Sequence, residues 1–436
     1  MANEQIFQFT LSPVQGFVAQ ARRTRDFWAG SFILSWLSSV AMETIVQQKG
    51  KIQFPVPDPL YLAALRGKSG SQDPLPEQGS IPNRFMATTA VVPAGFMPEA
   101  VADAVQRAWQ ALADVVWQHD LAPMAVDSPG TQKVWERQVR HFWEISWVLS
   151  DAQEPALLER RKAWRNHVLP DEPGHKCMMM DGWQELSGVE DASVQDVRQF
   201  WQRVRQQKSQ PSLLHDLREG EQLCAMAFIK RRFARYFEKV ECAVGHESAG
   251  ALHRVGGWTL PTSVPSVAFM AAAPWIASML DKADDAALAA FYTAASALVD
   301  DPGKERAQVA EQGRTVKVGC VARAARARAD RDGAFRAEWA GLDGQLYFAS
   351  TLDNDALFAD AGVAADTMQE RLRTARSALA ELQKCPGVGQ PSPFYAVLLM
   401  DGDQLGKHMG RKEAQHGISQ ALNAFTREVP ELVRRF

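Results

Sequence analysis

The strongest constraint on this chain lies near its N-terminus, where a short alternating strand runs through a Ser-Pro step toward a long apolar helix. Residues 6–11, IFQFTL, set Phe7, Phe9 and Leu11 against Gln8 and Thr10, the period of a strand. Ser12-Pro13-Val14-Gln15 follows and reads as a helix start. Ser12 caps, Pro13 suits the first helical position, and Gln15 three residues on completes a capping box. The helix is expected to run to about residue 48. Its uncharged stretch, residues 27–42, is too short to span a bilayer and reads as a buried core helix. Such a unit needs other strands beside it and a further layer over the helix.

The next segments supply both. RFMATTAVV at 84–92 and HFWEISWVL at 141–149 read as strands, and residues 98–119 have helical periodicity. If the apolar segment at 59–62 is also a strand, the order is βαββαβ, the ferredoxin-like pattern that underlies polymerase and cyclase palms. The fold class expected is therefore α+β, with a ferredoxin-like domain at 1–150. Residues 151–265 form a region of helices and basic clusters, with a basic, aromatic helix at 225–240, and 266–390 are alanine-rich and mainly helical. A possible strand lies at 315–321. Residues 391–436 repeat the opening motif: an apolar strand at 394–400, the turn Asp401-Gly402-Asp403-Gln404, then a helix at 417–435.

Bulk properties narrow the classes. A net charge of −3 over 436 residues demands no polyanionic partner, so any nucleic-acid contact must be local. Five cysteines, an odd number widely spread, suit a reducing compartment better than a disulfide scaffold. With no basic leader and apolar core at the start, a cytoplasmic location away from any membrane is expected.

Four groups of residues could carry chemistry. Asp401 and Asp403 flank a glycine between strand and helix, which suits a divalent metal beside a phosphate, although Asp and Gly also dominate ordinary turns. Cationic clusters occur at Arg22, Arg23 and Arg25; at Arg160, Arg161, Lys162 and Arg165; at Lys230, Arg231, Arg232 and Arg235; and at Arg323, Arg326, Arg328 and Arg331. Of these, Arg22, Arg23, Lys230, Arg231 and Arg232 are candidate RNA contacts, the alternative being solvated helix faces. Phe228, Phe233, Tyr236 and Phe237 interleave with the third cluster and could stack on bases, but aromatics at that spacing, like Trp28 and Trp36, more often pack in a core. The dipeptides His119-Asp120 and His215-Asp216 have no further histidines near them and read as polar pairs at helix ends or in loops. Cys177 and Cys224 each stand where a C-x-x-C pair would begin, the second position being Met180 in one and Ala227 in the other.

These runs, with IPNRFMA at 81–87, FWEISW at 142–147, PGHKC at 173–177, QLCAMAFIKRRF at 222–233 and YAVLLMDGDQLGKHMG at 395–410, resemble the large subunit of the type III-B CRISPR effector, the Cmr complex. The resemblance extends over most of the chain in family order. It implies a palm-like first domain without metal ligands, a helical middle, and the first strand and helix of a second, catalytic-type palm. There Asp401 and Asp403 would hold Mg²⁺ or Mn²⁺ for cyclic oligoadenylate synthesis from ATP. Gly402 and Gln404, with Ser12 and Gln15 at the first helix start, would meet nucleotide. The family's GGDD hairpin does not occur in this sequence, so half of a metal site is present and a missing or separate GGDD segment would have to supply the rest. Cys177 and Cys224 correspond to a zinc element that keeps two thiolates of four, not a tetrahedral site unless His175 or another side chain joins. The family-like strand begins at Ile6, so an HD nuclease domain is not expected. Implied partners are CRISPR RNA, target RNA and other Cmr-type subunits. The alternative is a non-catalytic RNA-binding scaffold in which DGD is a relic.

Overall fold

The computed structural model describes all residues except 1–4, 69, 71–74, 88–94, 127, 151–155, 165–166, 189–192, 246–251, 263–264, 299–317, 332–336, 359–362, 397–411 and 436. Two compact units are present: Met1–Thr262 with Gly402–Thr426, and Ser263–Asp401 with Arg427–Phe436.

The first unit is built on a four-stranded antiparallel sheet. Its strands are β1 (Ile6–Ser12), β2 (Ile52–Phe54), β3 (Arg84–Ala87) and β4 (Glu144–Ser150), in the order β2-β3-β1-β4. β1 is central, with Phe9 opposite Phe85 on β3 and opposite Trp147 on β4. Both of its faces are covered, because Gln8 and Thr10 are buried as well as Phe7, Phe9 and Leu11. The segment expected as a strand at 59–62 belongs instead to a helix, Pro59–Leu65. Asp58 accepts from the Leu60 amide and Pro59 occupies the first turn, a strong start signal that outweighs the apolar run. The strand in that place in the order is the shorter Ile52–Phe54.

The long helix, Thr24–Gln47, is the centre of the core and packs against Pro59–Leu65, Pro98–Val116 and Ala225–Arg232. By length and composition it could cross a membrane, but 89% of its apolar window is buried within the fold. Phe32 and Trp36 meet Phe237 edge-on, with ring centroids 5.4 Å away in each case, and Phe32 also meets Trp258 at 5.7 Å. Phe228, Phe233, Phe237, Trp36 and Trp28 are thus packing residues. Burial of each such ring contributes about 1.5–3 kcal/mol.

One hydrophobic core runs from Phe7 to Leu260, so no break separates residues before and after 150. The basic helix expected at 225–240 ends at Arg232 and gives way to two short 3-10 turns, Phe233–Arg235 and Phe237–Lys239. Beyond it lies a small hairpin, Glu241–Val244 with His253–Gly256. Gly257 follows it so closely that a Cβ there would lie 1.8 Å from the Phe237 carbonyl oxygen. Ser419 and Asn423, on the helix Lys412–Arg435, hold the Val56 amide and carbonyl at 2.6 and 2.9 Å.

The second unit is helical, as expected. Val267–Lys282, Asp285–Ser296, Gly319–Arg331 and Ala365–Lys384 surround a core that includes Ile276, Phe291, Tyr347 and Leu379. Ser266 and Asp284 cap the first two helices, accepting from the Phe269 and Ala287 amides. The possible strand at 315–321 is overtaken by the helix beginning at Gly319, its earlier residues lying outside the described ones.

Candidate functional site

The end of β1 departs from the sequence reading. Ser12 is the last strand residue, paired with Glu144, and the Ser12-Pro13 peptide is cis. Only one helical turn follows, Gln15–Val18, with Val14 at its cap and no side-chain cap bond. The capping box expected from Ser12 and Gln15 does not form, and Gln15 is exposed. The long helix begins later because Asp26 starts it, its Oδ2 accepting from the Arg22 and Arg23 amides at 3.2 and 3.1 Å. A carboxylate three residues into a helix satisfies donors that would otherwise be orphaned.

Where β1 ends, the fold leaves a cavity of about 730 Å³, within the range of roughly 300–1,000 Å³ usual for small-ligand sites. Ser12, Pro13, Gly16 and Gln20 line one side, and Glu144 on β4 and Phe142 just before it line another. Glu159, Lys162 and Ala163 of the helix Ala156–Ala163, with His167 and Leu169 beyond it, close a third. Met180, Asp181 and Trp183 complete the wall, and Trp183 lies 5.6 Å from the Phe142 ring. Glu159 is bound to Arg84. The His167 Nε2 is buried and makes no hydrogen bond. The cavity thus combines aromatic and aliphatic walls with a hydroxyl, an amide, a lysine, an imidazole and two further carboxylates. Ser12 belongs to it and Gln15 does not. Gln20, His167, and Asp181 with Trp183 come from three separate segments, and no local pattern in the sequence marked them.

The third cationic cluster is not an RNA-contact surface. Lys230, Arg231 and Arg232 are all buried, with Arg232 fully enclosed. Arg231 binds Asp26 through two bonds of 2.7 and 2.9 Å and Glu221 at 2.8 Å. Arg232 clasps Asp120 at 2.7 and 3.0 Å, also binds Asp216, and donates to the Tyr236 and Ser212 hydroxyl oxygens at 2.9 and 3.1 Å. Arg25 and Arg235 reach Asp216 at 2.8 and 2.7 Å, and Arg23 reaches Glu221 at 3.3 Å. Buried charges persist only when paired in this manner. Burial pushes Asp26, Asp216 and Glu221 upward, but the arginines beside them win and hold all three below the usual carboxylate range. Lys230 donates to the Phe17 and Gln20 carbonyls at 2.5 and 2.6 Å, and burial lowers its pKa to about 8. Arg23, lowered to about 10 by burial and by Arg231, also belongs to this network, whereas Arg22 is exposed.

Asp120 and Asp216, the acidic halves of the two His-Asp dipeptides, therefore serve one arginine. His119 has its Nδ1 on the Val115 carbonyl at 2.8 Å and its ring stacked on Tyr236 at 4.7 Å. Neither dipeptide is part of a metal cluster among the described residues.

Cys177 and Cys224 do come together. The Cys177 sulfur accepts from the Met179 and Met180 amides at 3.4 and 3.3 Å, and the Cys224 thiol lies beside it. Burial opposes its ionisation, but these donors bring its pKa down to about 7, while burial and the neighbouring sulfur push Cys224 well up. The turn has the form of a metal knuckle, yet His175 does not complete it, and no group of three or more His, Cys, Asp or Glu that could hold a metal occurs among the described residues. The residues present do not fit a zinc ion. Asp401, Gly402, Asp403 and Gln404 lie outside the described residues.

Residues 6–114 match the family model described as CRISPR-associated protein Cmr2, N-terminal. No curated protein matches the chain. Among solved structures, a chain of the type III-B Cmr-beta complex in its apo state is similar at 14% identity and a TM-score of 0.42, over 72% of this chain and 38% of that one. A chain of type III-B Cmr-beta bound to cognate target RNA is similar at 15% identity and a TM-score of 0.36, over 53% of this chain and 33% of that one. This chain thus spans well under half the length of the solved chains it matches. The protein resembles the Cmr2 large subunit, and residues 6–114 carry that family's N-terminal pattern.

Proposed function

We propose that this chain acts as part of the large subunit of a type III-B CRISPR RNA-guided effector and that its first unit is a non-catalytic, ferredoxin-like palm with a nucleotide-sized cavity. The family match over residues 6–114 carries this reading. The strand order β2-β3-β1-β4, with helices crossing between β1 and β2 and between β3 and β4, supports the palm assignment. β1 ends in Leu11-Ser12-Pro13 and brings no pair of carboxylates to its tip, which favours a half that holds nucleotide without metal catalysis. In the cavity, Phe142 and Trp183 would face a base, Lys162 and His167 a phosphate, and Glu144 and Asp181 the hydroxyl or amino groups of the ligand.

Cyclic oligoadenylate synthesis would require Asp401 and Asp403 to hold Mg²⁺ or Mn²⁺, acting with a GGDD segment that this sequence does not contain. In that reaction the two metals stabilise the attacking ribose oxygen and the leaving phosphate oxygen. Two experiments test the proposal. Purified from cells, the chain should bring down small CRISPR RNA and Cmr-type subunits, and recovery of neither would refute subunit membership. The assembled complex given ATP, Mg²⁺ and target RNA should yield cyclic products that disappear in Asp401→Ala. Equal yields from the two would remove Asp401 from the chemistry.

A further inference from the structure

We infer that Cys177 and Cys224 are a redox pair that closes as a disulfide when a peroxide reaches Cys177. The two residues are held by separate segments fastened side by side: the Met178 amide binds the Gln222 carbonyl at 2.8 Å and the Leu186 amide binds the Leu223 carbonyl at 3.0 Å. The turn carrying Cys177 is closed by its own amide on the Trp183 carbonyl at 2.7 Å and by the Lys176–Gln184 bridge. Cys224 immediately precedes the helix Ala225–Arg232, at its N-cap position. Its thiol neighbours the Cys177 sulfur, which receives the Met179 and Met180 N–H groups at 3.4 and 3.3 Å. An anionic sulfur is what such a ring of donors stabilises. Among the described residues no group of three or more His, Cys, Asp or Glu could hold a metal, and the arrangement leaves the Cys177 sulfur among amide donors with the Cys224 thiol beside it.

Access is one-sided. Cys177 keeps 6% of its surface exposed and the adjoining Met178 keeps 48%, while Cys224 is fully enclosed. A small peroxide therefore meets Cys177 first. The Cys177 thiolate attacks one peroxide oxygen, breaking the O–O bond and releasing hydroxide, which leaves a sulfenic acid. The Cys224 thiol then attacks that sulfur, the S–O bond breaks, and water departs with the Cys224 proton. Two thiols lose two electrons, and one peroxide is reduced to two waters. The link ties the turn to the start of the helix that carries Arg231 and Arg232.

Peptide mass mapping of the full chain tests this, after treatment with hydrogen peroxide and alkylation under denaturing conditions. The expected product is a Cys177–Cys224 linked peptide two hydrogens lighter than its parts and restored by dithiothreitol, with Cys242, Cys320 and Cys385 still alkylated. The oxidised chain should melt about 5 °C higher. In Cys224→Ala, the same treatment should drive Cys177 on to sulfinic acid. Irreversible oxidation of Cys177 in the wild-type chain without a link, or recovery of both residues as free thiols, would overturn the inference. The wild-type map decides the matter even if the variant fails to fold.

Discussion

Two basic helices in the first unit have similar composition and opposite fates. Ala156–Ala163 carries Arg160, Arg161 and Lys162 in its last turn, and Ala225–Arg232 carries Lys230, Arg231 and Arg232 in its last turn. Arg160 is exposed and Lys162 lines the cavity, whereas Arg231 and Arg232 are shut inside the core. The difference lies in what surrounds each helix. Asp26 and Asp120 converge on the second from distant parts of the chain, and Asp216 and Glu221 from the segment just before it. A run of positive charge therefore does not tell a contact surface from a buried network. The carboxylates decide, and two of them, Asp26 and Asp120, are more than a hundred residues from the arginines they serve.

The largest expected effect comes from cutting that network. Arg232→Ala leaves Asp120 buried without its partner and should destabilise the first unit by about 3–5 kcal/mol, read as a lowered urea midpoint. A loss under 1 kcal/mol would mean that the arginine is dispensable and reopen a binding role. Acid comes next. Because Asp26, Asp216 and Glu221 have folded pKa values below the ordinary range, their stabilisation is complete above about pH 4.5 and is lost as pH falls below it. Urea midpoints followed from pH 7 to pH 3 should hold steady and then drop, and a flat profile to pH 3 would contradict the network. The smallest effect belongs to the exposed helix, where Arg160→Ala should change stability by no more than about 0.5 kcal/mol. A larger loss by thermal melting would make the two helices alike.

The contrast also shows which parts of the molecule the sequence could disclose. Strand β1, the long core helix and the mainly helical second unit follow from local periodicity and composition, and the structure has them. The start of the long helix does not follow, because Ser12 and Gln15 satisfy the capping pattern locally while Asp26 is fixed there by Arg231, about 200 residues away. The strand Ile52–Phe54 is too short to signal itself beside the stronger apolar run at 59–62. At the cavity, Ser12 could be named because it ends a recognisable strand. His167, Asp181 and Trp183 meet it only through tertiary packing, which leaves no spacing to read.

Calorimetric titration of ATP into the intact chain and into Lys162→Ala, at matched salt and with melting temperatures measured alongside, bears most directly on the claim that the cavity at the end of β1 is the ligand-facing site. Lys162→Ala is expected to weaken binding about tenfold, roughly 1.4 kcal/mol, with an unchanged melting temperature. Equal affinity in the two proteins would contradict it.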